Sequence, residues 1–80
     1  MITKKQVLSC ISKALKIPVS KINIDSSDLS FEKWDSLGHL EILLNLDKVL
    51  KGKAINIKAL AEANSVRKIL VILKKNKLLI

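Results

Sequence analysis

The chain has 80 residues, with 15 Lys+Arg against 7 Asp+Glu and a formal net charge of +8. That length allows one domain and excludes a β/α barrel or a nucleotide-binding unit with a separate substrate domain. A single Cys and a single His exclude an internal disulfide and leave zinc without a ligand set.

Apolar residues make up 49% of the chain, which favours a packed core over disorder. A domain this small holds only about 3–5 kcal/mol of stability. It therefore needs local, well-capped elements. No apolar run approaches the roughly 20 residues that span a bilayer. The start of the chain lacks the apolar stretch of a secretory signal. One cytoplasmic, monomeric domain over residues 1–80 is expected, without a membrane span.

The charge first points to a polyanionic partner, nucleic acid or an anionic membrane. Its distribution argues otherwise. Between Asp25 and Asp47, six acids and one base give −5; elsewhere, fourteen bases and one acid give +13. Only Phe31 and Trp34 are aromatic, so platforms for base stacking are lacking. Lys supplies all but one of the bases, whereas Arg leads in phosphate and base recognition. No nucleic-acid partner is expected.

The first helix opens at Thr3-Lys4-Lys5-Gln6, a capping box, with Ile2 and Val7 placed as a hydrophobic staple. Val7, Leu8, Ile11, Ala14 and Leu15 follow at helical spacing. Pro18 ends the helix by about Lys16 or Ile17. Residues 18–35 read as a long loop, tacked down by Val19, Ile22, Ile24, Leu29, Phe31 and Trp34. A loop this long in a small domain is usually functional.

The second helix runs from about Ser36 to Leu50, with cap chemistry at Asp35 and Ser36 and a stop at Gly52. Ile42, Leu43, Leu46, Val49 and Leu50 form its core face. Leu37, Leu40 and Leu44 form a second apolar stripe that calls for its own partner. A short helix is expected around Ile57–Glu62, after a cap at Asn56. The last helix starts from Ser65 and buries Val66, Ile69, Leu70 and Leu73. Leu78-Leu79-Ile80 has no role in this scheme. The expected fold is all-α: a small bundle of three main helices and one short helix, with a long loop between helices 1 and 2.

The order and spacing of these features resemble the acyl carrier protein family over almost the whole chain. They include the Pro18 stop, Asp25-Ser26-Ser27, Asp35-Ser36-Leu37 opening helix 2, the Gly52 stop, Ile55-Asn56-Ile57 and Ser65-Val66. The resemblance implies that Ser36 bears a 4′-phosphopantetheine arm from coenzyme A, whose thiol holds acyl or aminoacyl groups as thioesters. It implies a carrier rather than an enzyme. Its partners would be a phosphopantetheinyl transferase, an acyl- or aminoacyl-loading ligase and a downstream synthase or transferase. Asp35, Leu37, Leu40, Glu41 and Leu44 would form the partner-facing surface, and Gly38 would let the arm or a partner approach.

Members of that family are usually acidic along helix 2. Here that helix has only Glu41 and Asp47, countered by Lys48. That departs from the acids read by the usual fatty-acid synthase partners, and Trp34, Gly38 and His39 resemble stand-alone, specialised carriers more than the housekeeping fatty-acid one. The competing reading is a small basic helical module for nucleic acid or anionic membrane, using the lysines of helices 1 and 4.

His39 lies three residues beyond Ser36 and shares its helix face. A catalytic Ser–His pair also needs an orienting acid, an oxyanion hole and a pocket. Asp35 is poorly placed to orient His39, so a solvated surface histidine is expected. Cys10 is expected as an inert packed residue, and Trp34 as the loop's anchor.

Overall fold

Thr3 opens the chain's first element as the sequence requires. In the computed structural model, which describes residues 1–80, α1 spans Lys4–Leu15. The Gln6 N–H donates to Thr3 Oγ1 at 3.2 Å, and the Thr3 N–H donates to Gln6 Oε1 at 2.9 Å. Two otherwise orphaned donors are thus satisfied reciprocally. Val7, Cys10, Ile11, Ala14 and Leu15 are buried. The helix ends where Lys16 turns left-handed, with φ of 56°. Pro18 follows and cannot continue it.

α2 (Ser36–Val49) runs antiparallel to α1 and forms the central pair with it; its Asn45 side chain donates to the Cys10 carbonyl at 3.3 Å. Ile42, Leu43, Leu46 and Leu50 are buried as expected. Val49 is not: it is 42% exposed. The facing turn of α1 offers Gln6 and Ser9 there, leaving an open groove instead of an apolar contact. Beyond α2, Lys51 and Gly52 both take positive φ, 54° and 86°, and reverse the chain. Asp47 Oδ1 holds the turn by accepting the Ala54 and Ile55 N–H groups at 3.1 and 2.9 Å.

α3 (Lys58–Ala61) is a single turn, with Ile57 at its N-cap and no side-chain cap. Asn56 does not take the cap position expected of it, because the helix starts one residue later. α4 (Val66–Lys75) starts from Ser65, whose Oγ accepts the Lys68 N–H at 3.1 Å. It packs on α1 and α3 through Val66, Ile69, Leu70 and Leu73. Four helices, three of them long, with a long loop between the first two, make this the all-α fold that the pattern implies. No strand forms, and no helix is long and apolar enough to cross a membrane.

The loop from Lys16 to Asp35 contains one 3₁₀ turn, Val19–Lys21, and otherwise satisfies itself with side chains. Asn23 Oδ1 accepts the Asp25 N–H at 2.8 Å, and Ser26 Oγ accepts the Asn23 N–H at 3.0 Å. It is also tied to the start of α4. The Val66 N–H donates to the Ser26 carbonyl, and the Asp28 N–H to the Asn64 carbonyl, both at 3.0 Å.

The apolar tail has a place as well. The Ile2 N–H donates to the Leu78 carbonyl and the Ile80 N–H to the Ile2 carbonyl, each at 2.9 Å. This isolated parallel bridge between Ile2 and Leu79 closes the two ends of the chain on each other. Each backbone bond contributes about 0.5–1.5 kcal/mol net, and the half-buried Leu78 and Leu79 add about 1 kcal/mol each. Deleting residues 78–80 should lower the unfolding free energy by about 3–5 kcal/mol. Urea unfolding followed by circular dichroism checks this.

Candidate functional site

A long loop can present a helix start only if something fixes its last residues. Here Trp34 does so: it is 4% exposed and seated in the core. Its neighbour Asp35 is the N-cap of α2, and Asp35 Oδ1 accepts the Gly38 N–H at 2.8 Å. Asp35 therefore takes the cap for which Asp35 and Ser36 both have the chemistry. Ser36 becomes the first residue of the helix, exposed, with its hydroxyl in no hydrogen bond inside the chain. The Ser36 and Leu37 N–H groups have no backbone partner either. An oxygen nucleophile thus stands at the positive end of a helix dipole, beside free donors.

Gly38 serves packing, not ligand approach. It is buried, and a Cβ there would collide with the Lys33 carbonyl and stand 3.0 Å from Leu15 Cδ2. The missing side chain lets the loop backbone close onto the first turn of α2.

His39 is not the solvated residue expected. Trp34 Nε1–H donates to His39 Nδ1 at 3.1 Å, and His39 Nε2 meets the Leu60 carbonyl at 2.8 Å. The two ring planes lie within 13° of parallel. The buried indole needs an acceptor, and His39 is the side chain within reach. Both of its ring nitrogens are used in this way, and neither bonds the Ser36 hydroxyl. The sequence held one clue to this: a buried Trp N–H must find a partner. The partner's second contact, twenty-one positions away on α3, left no local trace.

These residues border an open cleft of about 440 Å³, lined by Asp28, Trp34, Asp35, Ser36, His39 and residues 61–64. Asp28, Asp35 and Glu62 give it three carboxylates, and no Lys or Arg lines it. The cleft itself is therefore unfavourable to an anion, whereas the free N–H groups at the start of α2 suit one.

The search against known proteins came out empty. No family model, no curated protein and no solved structure matches this chain.

The stripe of α2 is present as expected: Leu37, Leu40 and Leu44 are 67%, 45% and 46% exposed. Asp35 and Glu41 are exposed beside them, and Asp35 also caps the helix through Oδ1. Around the stripe a furrow between α1 and α2 carries Lys13, Lys16, Lys33 and Lys48. Cys10 is buried, and desolvation pushes its thiol above the ordinary range, only partly offset by Lys13. That is the state of a packed, unreactive thiol.

Replacing Gly38 by Ala should destabilise the protein by about 1–3 kcal/mol, the usual cost of overpacking. The clash is with backbone and cannot be relieved by a rotamer change. A lowered urea midpoint with an unchanged slope is the expected result.

Proposed function

We propose that this chain is a carrier of the acyl carrier protein type, with Ser36 as the attachment point for a 4′-phosphopantetheine arm. One observation carries the reading: Asp35 caps α2, which leaves the Ser36 hydroxyl exposed and unbonded at the helix N-terminus. Elsewhere in the chain, Thr3 and Ser65 spend their hydroxyls as N-caps.

The residues present suit such a group. The arm's phosphodiester would be met by the unpartnered N–H groups of Ser36 and Leu37 and by the helix dipole. The carboxylates of Asp28, Asp35 and Glu62 would keep the phosphate at the mouth of the cleft. When bound, the arm supplies a thiol that holds acyl or aminoacyl cargo as a thioester. The bundle itself presents and orients; loading ligases and synthases do the chemistry. Leu37, Leu40, Glu41 and Leu44 form an exposed surface on the same helix for such partners. The lysines of the neighbouring furrow set the chain apart from carriers with a purely acidic docking face.

Incubation with coenzyme A and a broad-specificity phosphopantetheinyl transferase should add the mass of one arm to the intact protein. Ser36→Ala should gain nothing. If the wild type gains no mass with several such transferases, the carrier reading is wrong.

One feature favours a second reading. On α4, Val71 is 48% exposed, and Arg67, Lys68, Lys74 and Lys75 surround it at i−4, i−3, i+3 and i+4. A face of that kind suits a polyanion, such as a nucleic acid or an anionic membrane. Titration with duplex DNA and with anionic vesicles at low and high salt separates the readings. Binding that weakens steeply with salt supports the basic module, and no binding at low salt removes it.

A further inference from the structure

We propose that His39 is the positioning residue of the cleft beside Ser36, holding its two walls in register through one hydrogen bond to each. The proposal deepens the carrier reading by naming what positions the site, and it rests on that reading only for the arm's arrival.

The tautomer follows from the partners. An indole N–H can only donate, so His39 Nδ1 carries no proton and accepts. The single ring proton is then on Nε2, which donates to the Leu60 carbonyl. Trp34 belongs to the loop wall of the cleft. Leu60 lies directly before Ala61, Glu62 and Ala63, which form the opposite wall. His39 is the one side chain that hydrogen-bonds to both sides. α3 needs this tether, because a single turn without a side-chain cap does not sustain itself.

The protein contains its own probe. Trp34 is the only Trp and there is no Tyr, so intrinsic emission reports on this one indole. In the unmodified protein at one pH, His39→Leu removes the acceptor of the indole N–H, so its Trp34 emission should shift from that of the wild type. His39→Gln keeps an acceptor and a donor, so its emission should stay closer to that of the wild type. Emission of His39→Leu identical to that of the wild type overturns the proposal.

Arm loading by a transferase at about pH 8 supplies the second readout. His39→Leu should raise the KM for loading several-fold with little change in kcat, and His39→Gln should recover part of that loss. Loading of His39→Leu at the wild-type KM overturns the positioning role. Failure of the wild type to load at all refutes the carrier reading, and the emission experiment still decides the role of His39.

Discussion

An indole buried in a small core brings one N–H that must be bonded, and the Ser36 end of this molecule is arranged around that need. Trp34 ends a loop that has almost no regular structure of its own. Its burial fixes the last turn of chain before α2, and its N–H draws His39 inward. With His39 turned towards Trp34 and Leu60, α2 and α3 are linked across the cleft. Asp35, next to the anchored Trp34, is then in position to cap the helix, and the cap in turn leaves Ser36 free. Apolar burial, one hydrogen-bond obligation and one cap thus combine to expose a single hydroxyl.

The loop that delivers these residues is held at both ends and in its middle. Asx and Ser turns satisfy its backbone locally, while Ser26 and Asp28 pair with the chain at the start of α4. The exposed Arg67–Asp25 pair at 3.0 Å lies on the same seam. Such an exposed pair adds little stability. The backbone bonds and the buried Ile22, Ser26 and Trp34 hold the seam instead.

Most of the fold was legible because local chemistry announces helices. The Thr3 capping box, the Ser65 cap, Pro18 and Gly52 each act within a few residues of their own position. The periodic apolar faces then place the core; they mislead at Val49, where the facing α1 residues are polar, and in the loop Val19 and Leu29, expected to tack it down, are exposed instead. What escaped notice depends on partners distant in sequence. Gly38 looked like room for a ligand, because the Lys33 carbonyl that fills that room arrives through loop packing. His39 looked solvated, because the Leu60 carbonyl belongs to another element. The apolar tail had no visible role until Ile2 was found beside it. Of the site itself, Ser36 and the Leu37, Leu40 and Leu44 stripe were readable from spacing. The cleft was not, since Asp28, Glu62 and Asn64 meet only through tertiary contact.

The bridge between Ile2 and Leu79 also bears on how the molecule is made. It joins positions separated by nearly the whole chain, so its closure carries the largest loop entropy of any contact in the fold. Contacts of that range form late. While the protein is being synthesised, Ile2 can complete the staple of α1 with Val7, but its backbone stays unpaired until residues 78–80 emerge. The capping box lets α1 start alone; the seal over its first turn is the last to be set.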